Sequence, residues 1–352
     1  MDKEYLTIDL SKLDDDKYHE VVQNASSILD TDDGEDWCNL ILKVASEIKR
    51  REGLENAIRY LDAIQADYAR IFLNLFDKNA EILKRTCYYN LESNNYDKAK
   101  ENLAHYIYSA LSQIDYKSTL RKMPYYSFRT FSDYSLKDVK EQKLTLSHPR
   151  EFNDPLDTLL VWWMESEIAE SHGSELDKKY TLLLKKVSEG IKIRCLSAGK
   201  TTKKEIPVEE LSSLMWAHYA NSHKGFCIEY DFDRDFFTKN RTKNHIVVFD
   251  NINYTDVVNP HGEPSIKDAL FNKSEFWSYE NEVRLVMFDE ENEEDFPSLD
   301  CTGMIKAIYL GVKCSDENRR KMERAIGHKD IPLYQMKIDA NNLTHFKKQQ
   351  IG

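Results

Sequence analysis

From Asp36 to Leu111 the apolar positions recur at intervals of three and four, with no proline. They run through "WCNLILKVASEIKRREGLENAIRYLDAI" and "ILKRTCYYNLESNNYDKAKENLAHYIYSAL", a period that predicts amphipathic helices packed on one another. After "SQIDYKSTLRKMP" the pattern changes. Short runs rich in β-branched and aromatic residues, bounded by turn residues, predict strands at "YYSFRTF", "KLTLSH", "IKIRCLS", "GFCIEYDF", "HIVVFDNINY", "EVRLVMF", "IKAIYLGV" and "PLYQMKI". Helical stretches are expected between them, from Glu165 to Glu189 and from Pro207 to Ala220. The expected fold is α+β, with a helical repeat or bundle over residues 1–118 followed by a mixed α/β domain over residues 122–352.

The two helical segments share a design. In each, a helix ends in a polar turn ("KRREG", "LESNN") and the next opens with an acidic residue and then a small one, Glu55 with Ala57 and Asp97 with Ala99. An alanine lets two helices cross closely, and the arrangement resembles tetratricopeptide-like helical hairpins. That resemblance implies a surface for a protein partner or a sensing role. A plain helical bundle fits the same periodicity.

Charge is unevenly spread over the 352 residues. The formal net charge is −12, and residues 1–36 alone hold twelve Asp or Glu against three Lys. Such runs are solvated tails or loops, and the nearly neutral remainder gives no reason to expect bulk affinity for nucleic acid. Six cysteines lie scattered without a C-x-x-C pair, and the chain opens with neither a basic nor an apolar leader segment. A reduced, cytoplasmic protein is expected. No apolar run approaches the roughly 20 residues that span a bilayer, and His218 and His223, five apart, fit no zinc motif.

Five patches in the second half carry more chemistry than a core needs. Arg129 follows aromatic residues in "YYSFRTF". "SHPREFNDPLD" strings together Ser147, Asn153, Asp154 and Asp157 after a strand. Ser197 ends "IKIRCLS", and "LMWAHYANSHKGFCIEYDF" sets Trp216, His218 and Tyr219 on a helix. "FWSYENEVRLV" places Glu280 and Glu282 two apart at the mouth of a strand, where alternate residues share a face. Plainer readings exist for each: an Asx turn at Asn153 and Asp154, a core face for Trp216 and Tyr219 with a hydrogen-bonded His218, an ion pair of Arg129 with Asp154 or Glu282, and a wet strand end for the glutamates.

Taken in order, these motifs over about residues 122–315 resemble the bacterial domain-of-unknown-function family 2971, a label that states no activity. More loosely, the layout is similar to the ADP-ribosyltransferase fold, which implies a split sheet and NAD as cofactor. By that similarity Arg129 matches the NAD-anchoring arginine, Ser197 or Ser147 the serine, Glu282 the catalytic glutamate and Glu280 its upstream partner. Tyr126, Trp216 or Tyr219 would stack on nicotinamide, with Asn153, Asp154 and His218 completing the NAD-binding set. In place of an S-T-S triplet the chain has "CLSA" or "TLSH".

The carboxylate pair suits this chemistry. Breaking a glycosidic bond develops positive charge on the sugar, and a carboxylate placed there stabilises it. Glu282 would do so, while Glu280 would orient or deprotonate a macromolecular acceptor. No Gly-rich phosphate loop occurs, which argues against Rossmann and P-loop alternatives. Two other classes stay open: a metal-dependent nuclease or phosphodiesterase, with Asp154, Asp157, Glu280 and Glu282 on magnesium assisted by Lys273 or His218, and a non-catalytic interaction module.

Overall fold

The structure is a computed structural model and describes residues 7–27, 34–71, 80–114, 123–154, 157, 174–199, 206–241, 245–257, 265–291, 295–342 and 345–351. Its helices in chain order are α1 (Asp15–Ser27), α2 (Gly34–Glu52), α3 (Leu54–Ile71), α4 (Ala80–Glu92), α5 (Tyr96–Ser112), α6 (Asp133–Glu141), α7 (Glu175–Ser188), α8 (Ser213–His218), α9 (Arg234–Lys239), α10 (Ile266–Phe271) and α11 (Asp316–Ile326). The strands are β1 (Tyr125–Arg129), β2 (Lys143–Thr145), β3 (Ile191–Ala198), β4 (Phe226–Tyr230), β5 (His245–Asn251), β6 (Asn253–Tyr254), β7 (Asn272–Lys273), β8 (Glu282–Asp289), β9 (Ser298–Asp300), β10 (Ile305–Leu310), β11 (Leu333–Ile338) and β12 (Phe346–Gln350). The fold is mixed α+β, with helices in the N-terminal half and a large mixed sheet in the C-terminal half. Two compact units divide it: Met1–Gln113 with Trp163–Ser188, and Ile114–Trp162 with Glu189–Gly352.

In the first unit α2 packs on α3, and α4 on α5, as the periodicity requires. Gly53 makes the turn between α2 and α3 at φ +97°, a conformation that costs glycine nothing. Asn95 caps α5 by accepting from the Lys98 amide at 3.3 Å. Ala57 and Ala99 are fully buried, the place the sequence reserved for small residues. The core gathers Trp37, Ile41, Val44 and Ile48 of α2 with Leu61 and Ile64 of α3. Helix α7, although it lies far along the chain, packs on α4 and α5 with Tyr180 stacked on Tyr88.

The second unit is built on an eight-stranded sheet in the order β12-β11-β10-β4-β1-β3-β8-β5. Within this sheet, among the described residues, only the β10–β11 pair is parallel. Side chains alternate between its two faces, so Tyr125 joins a core with Phe226, Phe249 and Leu285, while Tyr126 and Phe128 join another with Trp216 and Tyr309. One junction is short. Strand β1 meets β4 over five positions and β3 meets β8 over seven, but β1 and β3 pair only at Tyr125↔Ala198 and Tyr126↔Ser197. Beyond that point β3 is bridged instead by Ser147 to Ile193.

All eight predicted strand runs hold strands. The two- and three-residue β7 and β9, and β12, whose "FKKQQ" lacks apolar alternation, carry too little pattern to be predicted. The helix expected over Pro207–Ala220 is a 3-10 turn at Val208–Glu210 followed by α8. Of the expected Glu165–Glu189 helix, residues 165–173 lie outside the described residues, as does Pro155 of the "FNDPLD" turn.

Candidate functional site

Three stretches converge in the second unit. The run Glu275–Glu280 is a 3-10 helix rather than the start of a strand, and Asn281 turns the chain at φ 45° before β8 begins at Glu282. Asn281 holds that turn by donating from Nδ2 to the Ala198 carbonyl at 2.8 Å. The bend does not separate the two glutamates, because both carboxylates meet the same ammonium. Lys273 of β7 stands 2.7 Å from Glu280 Oε2, 3.0 Å from Glu282 Oε2 and 3.2 Å from Asp157 Oδ2.

Arg284, two residues along β8 on the same face as Glu282, closes the cluster. Its Nε donates to Glu282 Oε1 at 2.8 Å, Nη1 to the Leu270 carbonyl at 2.7 Å, and Nη2 to Asp157 Oδ1. All five side chains are buried, and Arg284 is 0% exposed. Three carboxylates face two cations, so ionising all five leaves one negative charge in excess where little water screens it.

The two glutamates respond in opposite directions. Burial works against ionising Glu282, but Arg284 and Lys273 outweigh it and hold its carboxyl down at about 2. Burial also raises Glu280, Lys273 opposes it, and the neighbouring Glu282 adds to the rise, so this carboxyl lies above the ordinary range. Lys273 loses by burial and gains more from Glu282, Asp157 and Glu280, which keep it firmly protonated.

From α8 comes Tyr219, at the helix C-cap, whose hydroxyl donates to Glu280 Oε1 at 2.5 Å. Its position is set by an unusual turn, in which Asn221, Ser222 and His223 all have positive φ before Gly225 enters β4. Gly225 has no substitute there, since a Cβ would come within 2.2 Å of the Arg129 carbonyl.

Asp157, Tyr219, Lys273, Glu280 and Glu282 line a cavity of about 300 Å³ that lies where β1 and β3 part. Of the residues singled out by sequence, Tyr126, Ser147, Asn153, Ser197, His218, Tyr219, Glu280 and Glu282 all line it. Three do not. Trp216 is buried edge-on against Phe128, Arg129 is paired with Asp138 at 2.5 Å, and Asp154 is not among the lining residues. Asp157, singled out in the "SHPREFNDPLD" turn, and Lys273, a metal-site candidate, line the cavity too, while sequence reasoning gave no role to Arg194, Cys195 or Arg284. A buried strand reading "EVRLVMF" carries its own signal, because an arginine in such a run demands a carboxylate partner.

Among the described residues no helix is long and apolar enough to cross a membrane, and no group of three or more His, Cys, Asp or Glu is arranged to hold a metal ion. None of the six cysteines is in a disulfide. Fold and site together define a mixed α+β protein whose sheet unit holds a buried acid–base cluster against a small-molecule-sized cavity. Residues 215–285 match a family described as "Protein of unknown function (DUF2971)", a stretch that holds Tyr219, Lys273, Glu280, Glu282 and Arg284. No curated protein and no solved structure matches the chain.

Proposed function

We propose that the sheet unit carries an ADP-ribosyltransferase-like active site that uses NAD to modify a macromolecule, and that the tetratricopeptide-like helical unit recruits a protein partner or senses one. The observation that carries this reading is the pair Glu280 and Glu282, side by side on Lys273 yet with their protons pulled in opposite directions. A carboxylate that stays ionised suits the positive charge that develops on a ribose as its nicotinamide bond breaks. A neighbouring carboxyl raised above the ordinary range suits the removal of a proton from an acceptor. Glu282 has the first property and Glu280 the second.

The residues at the cavity also fit the ligand. Ser197 Oγ is buried there without a hydrogen-bond partner, a vacancy that a carboxamide fills. Tyr126 and Tyr219 supply aromatic surface. When bound, NAD supplies an activated glycosidic bond. The chain supplies an ionised Glu282, an oriented Glu280 and, through Lys273 and Arg284, a rigid frame for both.

The nuclease reading is less well supported by the same cluster. The place a divalent cation would take, between Asp157, Glu280 and Glu282, is filled by the Lys273 ammonium at 2.7–3.2 Å. Thermal stability of the full chain separates the readings. NAD in the presence of a chelator is expected to raise the melting temperature, with about 2.7 kcal/mol contributed by ligand at 100 times its dissociation constant. Stabilisation only by magnesium with a nucleotide would favour the nuclease.

A further inference from the structure

The cavity has a second pole. We propose that Arg194 is its anion seat, holding a phosphate or pyrophosphate group of the ligand whose other end meets Glu280 and Glu282. This deepens the NAD reading and rests on it for the ligand's class.

Three arginines, Arg129, Arg194 and Arg284, stand on β1, β3 and β8, and two of them are paired with carboxylates. Arg284 has Asp157, Glu282 and a carbonyl. Arg129 has Asp138, itself fixed by the Thr145 hydroxyl at 2.6 Å. Arg194 lines the cavity and reaches across the gap from β3, donating from Nη2 to Ser127 Oγ at 2.6 Å. It makes no ion pair with a carboxylate among the described residues, and its Nε is closed to solvent without any acceptor. The Tyr230 hydroxyl is likewise buried and unpartnered, close enough to Arg194 for their charges to interact.

A partly buried guanidinium with no carboxylate paired to it directly is costly to keep. Burial first and the Arg129 guanidinium second press Arg194 down to about 10, still protonated at neutral pH. An anion beside the guanidinium would offset both effects, in the forked geometry that arginine offers phosphate. The same balance appears in charge: Arg129 and Arg194 against Asp138 leave one positive charge in excess, while the glutamate cluster leaves one negative. A ligand with an anionic group at one end and developing positive charge at the other answers both.

Inorganic pyrophosphate, with chelator present, probes the seat without any nicotinamide chemistry. The full chain is expected to melt at higher temperature with millimolar pyrophosphate, and not with sodium chloride at matched ionic strength. Arg194→Met should bind pyrophosphate roughly 30-fold more weakly while its own melting temperature stays level or rises, since an uncompensated charge has gone. Arg194→Lys should keep part of the shift. Protection that persists in Arg194→Met, protection by chloride alone, or a melting temperature several degrees lower for Arg194→Met without ligand would each overturn the proposal. Pyrophosphate protection that depends on Arg194 in a chain that never releases nicotinamide would leave the anion seat standing and remove the NAD reading.

Discussion

Tyr219 donates its hydroxyl to Glu280 Oε1 at 2.5 Å, although 61 positions separate the two in the chain. A hydrogen bond to a carboxylate favours its charged form, so Tyr219 moderates a rise that burial imposes on Glu280. Tyr219→Phe is therefore expected to move the Glu280 carboxyl to still higher pH. Carbon-detected NMR titration of that side chain in the two proteins measures the change, and a downward shift would contradict this arrangement.

The glutamates also set opposite pH dependences of stability. Glu282, held down at about 2 against an ordinary 4.5, contributes stability that is complete above about 4.5 and is lost as pH falls towards 2. Glu280, raised, binds its proton more tightly folded than unfolded, so its share declines as pH rises from 4.5 through its folded value. In urea unfolding from pH 3 to 7, Glu282→Gln should flatten the acid limb and Glu280→Gln the decline at higher pH. Identical profiles for the two variants would refute the assignment.

Arg284 tests what holds the cluster together. Replacing it with methionine keeps bulk but strands Glu282 and Asp157 beside a single ammonium. Breaking a buried ion pair costs about 3–5 kcal/mol, so Arg284→Met should lower stability by that order in chemical denaturation. A loss below about 1 kcal/mol, the worth of a surface pair, would mean that the cluster is far better solvated than its burial implies.

Much of this was legible in the residues. The strand runs and the paired helices follow from period 2 and period 3.6, and ten of the cavity's residues were named from the sequence. What local pattern does not carry is partner choice. Nothing near Arg129 in sequence says that Asp138 will take its charge, and nothing near Lys273 says that Asp157, Glu280 and Glu282 will surround it. The glutamates were expected on one strand face. They converge instead through the Asn281 turn, whose positive φ an asparagine tolerates but does not announce.

Helix α7 shows the same limit at the level of units, and gives a further prediction. The change from helical periodicity to short strands within the polar stretch "SQIDYKSTLRKMP" suggests that residues 1–115 fold alone. Yet α7 packs on α4 and α5, burying Tyr180, Leu183, Leu184 and Val187. A fragment ending at 115 leaves that apolar face uncovered. It should melt well below the helical unit of the full chain, and linking residues 174–189 to it should restore the difference. A 1–115 fragment as stable as the linked form would show α7 to be dispensable.

The central claim is that Glu282 supplies charge to a glycosidic transition state at this cavity. Its most direct test is nicotinamide release from NAD by the full chain and by Glu282→Gln, with melting temperature measured alongside. Release by the wild type is expected, with a fall of roughly 100-fold or more in the variant, NAD binding little changed and enough folded protein to exclude a stability effect. Full activity in Glu282→Gln, or loss that tracks unfolding alone, would contradict it.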